Sequence, residues 1–246
     1  MKKEWENVLK PARLDKILSD LSGEGRAQVK KDIKKGLVSV NGVVTKNADE
    51  KVAEKDLISY TGKEYIVTEF VYYMLNKPAG CVSATEDTLH DTVLSFIPDE
   101  RKGLFPVGRL DIDTEGLLII TNDGALAHTL LSPKNHVTKV YEAVLSDEVK
   151  EPASVIAAFK EGIDIGDEKP TAPAKLTILS KKNPSLVQVS VTEGRFHEVK
   201  RMFLAFGLEV LYLKRLSMGG VSLDPTLKPG ESRLLTSEEI MCLREK

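Results

Sequence analysis

A loop rich in acids and glycines stands directly ahead of an apolar segment in the middle of this sequence. An arginine and three acids lie between Gly108 and Gly116, and the run Leu117-Leu118-Ile119-Ile120 follows at once. The turn residues Asn122-Asp123-Gly124 close that run. A short apolar run bounded by turn residues is typical of a buried strand. The pattern therefore predicts a strand within a sheet, preceded by a loop that the sheet holds in place, and such loops often carry functional residues.

The length and composition suit a globular chain with an apolar core. The 246 residues fit one large domain, or a small domain joined to a medium one, and 41% of them are apolar. The net charge is only −2, so charge alone does not predict binding to nucleic acid. Residues 26–35 nevertheless carry five basic side chains and the single acid Asp32.

Three features of the sequence favour a cytoplasmic protein. Cys81 and Cys242 are far apart in sequence, which predicts reduced thiols rather than a disulfide framework. Residues 1–6 lack the apolar stretch of a signal peptide. No window approaches the roughly 18 uninterrupted apolar residues of a membrane span, so none is expected.

The first 68 residues predict a small module of two helices and a β-hairpin. Leu14, Ile17, Leu18 and Leu21 recur at helical spacing, and residues 26–35 form a second helical pattern that Gly36 ends. Asn41-Gly42 between β-branched runs is a strong hairpin signal. We place a boundary near Glu69, which gives domains at 10–68 and 69–246.

The larger domain is predicted to be α+β, with a mixed, largely antiparallel sheet flanked by helices. Short strands and helices alternate after residue 69 and are joined by hairpin-length links, which disfavours a doubly wound parallel sheet. The pattern at 196–206 predicts an amphipathic helix with an apolar ridge formed by Phe196, Val199, Phe203 and Phe206.

Taken alone, the acids of the central loop allow several interpretations. An aspartate in a turn is often only a cap or a turn-former. Asp111 and Asp113 could together hold a metal ion, but hard cations need several oxygen ligands and no second acid-rich loop accompanies them. The four histidines show no metal-ligand spacing. We therefore predict no metal site and no glycine-rich phosphate loop.

Four stretches of sequence, taken together, favour a catalytic role for the loop over a cap, a turn or a metal site. They are Asn-Lys-Pro-Ala-Gly at 76–80, Gly-Arg-Leu-Asp-Ile-Asp-Thr-Glu-Gly-Leu at 108–117, Lys-Val-Tyr at 139–141 and Glu-Gly-Arg-Phe-His-Glu-Val-Lys-Arg-Met-Phe at 193–203. In order and spacing they resemble the motifs of the pseudouridine synthases. Within this family, one branch modifies small-subunit ribosomal RNA. The sequence Phe-His-Glu-Val-Lys-Arg-Met-Phe at 196–203 and the run 131–136 resemble the sequences of that branch.

The resemblance implies roles for three residues that the sequence alone leaves open. Asp111 corresponds to the catalytic aspartate, which acts at the sugar either as nucleophile or as base at the 2′ carbon. Tyr141 corresponds to the tyrosine that stacks on the target base; without the resemblance it is a strand tyrosine half-buried in the sheet. Lys200 corresponds to the basic partner of the aspartate, with Arg201 as the second claimant. Both could otherwise belong to a solvated helix face.

The N-terminal module resembles the S-four domain, an RNA-binding module named after a ribosomal protein. The resemblance rests on Arg13-Leu14-Asp15-Lys16, the basic helix and the Val-Asn-Gly turn. It implies that basic side chains grip RNA phosphates, although a lysine-rich helix can also be an ordinary solvated face. The predicted RNA-binding residues are Arg13, Lys16, Arg26, Lys30, Lys34, Arg109 and Arg201.

The implied function is isomerisation of one uridine to pseudouridine in 16S ribosomal RNA. The target base must leave its stack before the aspartate can reach the sugar, and Arg109 would contact the RNA backbone or occupy the vacated space. The reaction needs no cofactor. The expected partner is ribosomal RNA or a small-subunit assembly intermediate, with the protein acting as a monomer. The alternatives are a 23S RNA enzyme and a non-catalytic ribosome-assembly factor that binds RNA.

Overall fold

The structure is a computed structural model that describes residues 11–180 and 182–245. These residues form two compact units. The N-terminal unit runs to Val71 and includes Pro98–Leu104, and the second unit consists of Tyr72–Ile97 and the chain from Phe105 onward. The predicted domain limits at Lys10 and Lys246, and the stretch judged to lack a signal peptide, lie outside the described residues. The domain division at residue 69 stays a prediction.

The described part of the N-terminal unit contains two helices and six short strands. The helices are α1 (Leu14–Ser22) and α2 (Arg26–Lys34). The strands are β1 (Ala12–Arg13), β2 (Val38–Val40), β3 (Val43–Thr45), β4 (Lys51–Val52), β5 (Leu57–Tyr60) and β6 (Lys63–Ile66). Strands β3, β2, β5 and β6 form an antiparallel sheet in that order, and β1 pairs with β4.

The predicted helices and hairpin of this unit are confirmed. Leu14 and Leu18 of α1 pack with Val29 and Ile33 of α2 in one apolar core, and all four are fully buried. Asn41 and Gly42 both have positive φ, 51° and 81°, as the tight turn between β2 and β3 requires.

A buried carboxylate ties the two helices of this unit together. Asp15 is fully buried and accepts two hydrogen bonds from Arg13 and two from Arg26, and Lys30 lies 3.4 Å away. The hydrogen bonds from Arg13 and the other cations outweigh burial and hold the pKa of Asp15 well below its ordinary value. Three of the predicted RNA-binding residues are therefore fixed around one acid.

The second unit contains a nine-stranded sheet and four helices within the described residues. The strands are β7 (Tyr72–Lys77), β8 (Phe105–Pro106), β9 (Glu115–Thr121), β10 (Lys139–Leu145), β11 (Lys175–Ser180), β12 (Leu186–Val191), β13 (Val210–Met218), β14 (Val221–Ser222) and β15 (Ser232–Leu234). The helices are α3 (Gly124–Leu131), α4 (Pro152–Glu161), α5 (Glu198–Leu204) and α6 (Ser237–Arg244), with short 3₁₀ turns at Val93–Phe96 and Pro133–Asn135.

The topology of this sheet confirms the predicted α+β class. The order is β11-β12-β10-β13-β9-β7-β15, with β14 beside β13 and β8 beside β9. Within the described strands every pairing is antiparallel except that of β9 with β13. No helix in this part of the chain is long and apolar enough to span a membrane.

Strand β9 is the buried strand that the sequence predicts, and it carries the acid-rich loop at its start. Its residues Leu117 to Ile120 are fully buried between β7 and β13. The strand begins at Glu115, so the loop that precedes it is anchored in the middle of the sheet.

The predicted helix at 196–206 is wrong at its start. Helix α5 begins only at Glu198, because His197 adopts a left-handed conformation with φ of 48°. The Glu198 carboxylate accepts a hydrogen bond from the Arg195 amide and closes a tight turn ahead of the helix. Phe196 is consequently 75% exposed and does not belong to the apolar ridge, whereas Val199 and Phe203 are buried.

Candidate active site

A cavity of about 760 Å³ opens in the second unit where the acid-rich loop meets the sheet. Residues 108–113 form one wall, residues 193–197 and α5 form another, and β10 and β13 form the floor. Asp111, Tyr141 and Lys200 all line this cavity. The structure thus brings together the three residues that were singled out for catalysis from distant parts of the sequence.

A fully buried lysine holds the loop in shape. Lys77, the last residue of β7, donates from Nζ to the carbonyls of Pro78, Asp111 and Thr114, each at 3.0 Å, and to that of Ile112 at 3.3 Å. Burial lowers the pKa of Lys77, and the nearby carboxylates oppose that shift. The ammonium thus replaces its lost water with main-chain oxygens, and this fixes the backbone on both sides of Asp111.

Two further contacts fix the loop to its surroundings. The Ser83 hydroxyl donates to the Leu110 carbonyl at 2.9 Å and accepts from the Leu110 amide at 3.0 Å. Gly116 has φ of 100°, and a Cβ there would lie 2.3 Å from the Arg215 carbonyl oxygen. Only glycine fits this approach of two backbones. The close contact required of Gly116 is therefore with strand β13.

Lys200 lies between the two aspartates of the loop. Its Nζ is 3.2 Å from Asp111 Oδ2 and 2.6 Å from Asp113 Oδ1. Burial would lower the pKa of Lys200, but the hydrogen bond to Asp113 and the charge of Asp111 raise it overall. The pKa of Asp113 is lowered because Lys200 outweighs the effect of burial. Lys200 is therefore a stable ammonium that pairs with Asp111.

The position of Lys200 argues against the alternative that Asp111 and Asp113 together hold a metal ion. An ammonium already occupies the space between the two carboxylates that would have to share an ion. Among the residues that the structure describes, no group of three or more histidines, cysteines and acids could hold a metal.

Tyr141 lies on the floor of the cavity and is 9% exposed. The side chains of β10 alternate, so Lys139 and Tyr141 share one face of the sheet. Arg215 of β13 is paired with Tyr141 across the strands and therefore lies on that same face. Sequence reasoning did not identify Arg215, because its place beside Tyr141 depends on the register of two strands that are distant in sequence.

His197 is a second neighbour of Asp111 that sequence reasoning missed. Its Nε2 is 3.6 Å from Asp111 Oδ1, and the Phe196 ring stacks on it with centroids 3.8 Å apart. Both residues belong to the stretch 193–203, which was singled out for Lys200 and Arg201. The left-handed turn at His197 brings its ring into the cavity.

Arg201 is not the partner of Asp111. Its Nη2 lies 2.5 Å from Asp167 Oδ1 and 2.6 Å from the Ile165 carbonyl, and Arg201 does not line the cavity. Arg109, by contrast, is exposed and lines the cavity. The RNA-binding roles of both arginines stay predictions.

Models of two protein families match this chain. The model described as RNA pseudouridylate synthase matches residues 71–205, which is more than half of the chain, and the model of the S4 domain matches residues 12–58. The chain belongs to the RNA pseudouridylate synthase family. The acid, tyrosine and lysine of the cavity all lie within the matched segment.

Relatives of this pseudouridine synthase align along almost its whole length. An uncharacterised RNA pseudouridine synthase of Bacillus subtilis, YtzG, is 44% identical over 95% of this chain and 98% of its own. The ribosomal small subunit pseudouridine synthase A of Haemophilus influenzae is 41% identical over 93% of this chain and 97% of its own. A crystal structure titled as a pseudouridylate synthase is 40% identical, covers 94% of this chain and 99% of its own, and has a TM-score of 0.66.

The candidate site of this pseudouridine synthase also contains a buried acid. Glu198, the first residue of α5, is 5% exposed, and its Oε1 has no hydrogen-bond partner in the described chain. Burial raises the pKa of Glu198 to about 7, although the amide of Arg195 favours the charged form. It lines a small recess behind Asp111 and Tyr141.

Proposed function

We propose that this pseudouridine synthase isomerises one uridine of 16S ribosomal RNA. The observation that carries the chemistry is the meeting of Asp111, Lys200 and Tyr141 in one cavity. Support for the substrate comes from relatives in Haemophilus influenzae and Escherichia coli, which are named as small-subunit enzymes. A 23S RNA substrate would use the same residues and is the second candidate.

In the proposed reaction the target uridine leaves its stack and enters the cavity. The Tyr141 ring holds the base, by a contact worth about 1–3 kcal/mol in other stacking platforms. The Asp111 carboxylate, paired with Lys200, acts at the sugar, either by attack on C1′ or by removing a proton from C2′. The bond from C1′ to N1 breaks and a bond from C1′ to C5 forms. The proton on C5 leaves and N1 gains one, so no redox partner is required.

The basic residues of the N-terminal module are proposed to bind the phosphates of the RNA. Arg13, Arg26 and Lys30 surround the buried Asp15, and Arg13 also pairs with Asp49, so three cations share two carboxylates. Lys16 and Lys34 are exposed on the same two helices. An excess of positive charge on a rigid surface is the usual footprint of phosphate binding. We further propose a monomer that acts in the cytoplasm on ribosomal RNA or a small-subunit assembly intermediate.

The substrate can be identified by mapping pseudouridine in ribosomal RNA from a deletion strain, using carbodiimide labelling and primer extension. We expect one pseudouridine of 16S RNA to disappear and to return with the wild-type gene. Purified protein should then modify the same uridine in naked 16S RNA or in an assembly intermediate. An unchanged 16S pattern with a lost 23S site would favour the second candidate, and no change together with no activity in vitro would refute both.

Asp111→Asn tests the chemistry directly. The amide keeps the size of the side chain but cannot act as nucleophile or base, so we expect no detectable turnover while RNA affinity stays within about a few-fold. Asp113→Asn is a matched control, because it changes the other, more exposed partner of Lys200. Turnover retained by Asp111→Asn would remove Asp111 from the mechanism. A non-catalytic assembly factor would show no turnover even as wild type.

A further inference from the structure

Arg215 is a buried cation on the cavity floor that has no carboxylate partner in the described chain. The residue is 2% exposed, and its Nε donates to the Leu117 carbonyl at 2.7 Å. Its Nη2 is buried and has no hydrogen-bond partner among the described residues. Burying a guanidinium without an anion is strongly unfavourable. An arginine kept in this state beside an open cavity indicates that a ligand supplies the missing acceptor.

A second buried cation, Lys139, supports the inference that a ligand binds at the cavity floor. Lys139 is 7% exposed, and within the described residues its Nζ donates to the main-chain carbonyls of Val137 at 3.1 Å and Glu193 at 3.5 Å, with the charges of Glu198 and Glu193 nearby. Burial and the charge of Arg215 both lower the pKa of Lys139. The floor therefore combines two desolvated basic groups with the ring of Tyr141 on one face of the sheet.

The position of Arg215 beside Tyr141 indicates which acceptor it meets, an argument that rests on the proposed function. If the Tyr141 ring covers one face of the target uracil, its cross-strand neighbour lies at the edge of the base. That edge carries the carbonyl oxygens O2 and O4. When the bond from C1′ to N1 breaks, its electron pair stays with the uracil, and the negative charge spreads over N1 and these two oxygens.

We propose that Arg215 is a catalytic residue whose guanidinium donates a hydrogen bond to a carbonyl oxygen of the target uracil and stabilises the charge that develops there. The guanidinium transfers no proton. It acts as a fixed donor that is itself shielded from water, and such donors are the most effective. The charge disappears when C5 bonds to C1′, and the later loss of the C5 proton is balanced by protonation of N1, so Arg215 favours the bond-breaking step in particular.

The first test uses Arg215→Met and Arg215→Gln, with Lys214→Met as the matched control. Lys214 precedes Arg215 on β13, points to the opposite face of the strand and does not line the cavity. Under single turnover with enzyme in excess, we expect both Arg215 variants to convert the target uridine about 100- to 1,000-fold more slowly. RNA affinity should stay within a few-fold, and Lys214→Met should match wild type. Arg215→Met should melt at or above the wild-type temperature, since an unpaired buried charge has been removed.

The second test identifies the acceptor with RNA that carries 2-thiouridine or 4-thiouridine at the target, because sulfur accepts hydrogen bonds poorly. One of these should slow the wild-type enzyme but should not slow Arg215→Met further, which is the non-additivity of two groups that interact. A methylphosphonate at each flanking phosphate provides the comparison. Non-additivity with the methylphosphonate instead would overturn the proposal in favour of phosphate binding.

The outcomes separate this inference from the proposed function. Wild-type conversion that neither thio substitution slows would overturn the role of Arg215 even if both variants failed to fold. Conversion at the wild-type rate by Arg215→Met would do the same and would leave the proposed function standing. If the wild-type protein converts no uridine in 16S or 23S RNA, both fail together.

Discussion

Lys200 lies between two carboxylates that differ in their contact with water. The Asp111 side chain is 26% exposed and that of Asp113 is 66% exposed, while the lysine itself is 20% exposed. An ion pair near water contributes little to stability. The value of Lys200 to the protein is therefore its effect on Asp111, whose carboxylate it orients toward the cavity.

Replacing Lys200 should harm catalysis far more than folding. We expect Lys200→Met to lower single-turnover conversion by about 100-fold, as loss of one preorganised charge does at other sites. The free energy of unfolding should change by less than about 1 kcal/mol. Lys200→Arg keeps the charge and should recover most of the rate. A loss of rate that only follows a loss of folded protein, measured by circular dichroism, would contradict this role.

At the scale of single elements, the sequence predicts what depends on local periodicity. The apolar spacing of α1 and the run of β9 were both sufficient to predict these elements, as was the turn at Asn41-Gly42. Helix α5 was predicted too long because a left-handed histidine has no signature in the spacing of apolar residues. Arg215 was missed for a different reason, since its place follows from strand register rather than from any motif.

The residues of the candidate site show the same difference between what local sequence predicts and what depends on the fold. The resemblance of four motifs singled out Asp111, Tyr141 and Lys200, and the structure places them in one cavity. The groups that hold them could not be predicted, because they act through the main chain. Lys77 contacts only carbonyl oxygens, and Gly116 is required by the approach of another strand.

Glu198 at the start of α5 should make stability depend on pH. In the unfolded chain its pKa is about 4.5, whereas burial raises the folded value to about 7. Between these values the folded state holds more protons, so stability falls as pH rises, by up to about 3 kcal/mol, and levels off above neutral pH. The Glu198→Gln variant has no carboxyl group at this position, so its free energy of unfolding should not show this decrease as the pH rises.

The measurement is urea unfolding followed by circular dichroism at about pH 5 and about pH 8. The advantage of Glu198→Gln over wild type should appear at the higher pH. The exposed Glu209 provides the control, since Glu209→Gln should keep the wild-type pH difference. Equal pH dependence in Glu198→Gln and wild type would show that Glu198 is ionised in the folded protein at both values.

At the scale of the whole molecule, positive charge is unevenly distributed although the total is nearly neutral. Although the net charge is −2, the N-terminal module contains a basic helix, and two buried cations lie at the floor of the cavity. These two groups of charge differ in kind. The exposed lysines can exchange counterions with solvent, whereas Lys139 and Arg215 are shielded from it.

Salt should therefore distinguish the two groups of charge. Lys16→Ala with Lys34→Ala should weaken RNA binding and lower the slope of log affinity against log salt by about two, one for each lost phosphate contact. Single-turnover conversion at saturating enzyme should not change. The control is Lys150→Ala with Lys160→Ala, an equal charge change at exposed residues that do not line the cavity. An unchanged slope in the first pair would show that these lysines do not contact phosphate.

The hydrogen bonds from Lys77 to the loop have a consequence for how the loop sequence of such an enzyme can change during evolution. The lysine binds main-chain carbonyl oxygens, which every amino acid possesses, and it does not depend on any side chain of the loop. Arg109 and Ile112 are exposed at the cavity wall and make no hydrogen bond to Lys77 through their side chains. Substitutions at these positions can therefore change the surface that the loop presents while Asp111 keeps its place. Evolution can therefore alter the loop side chains without altering the position of the loop backbone.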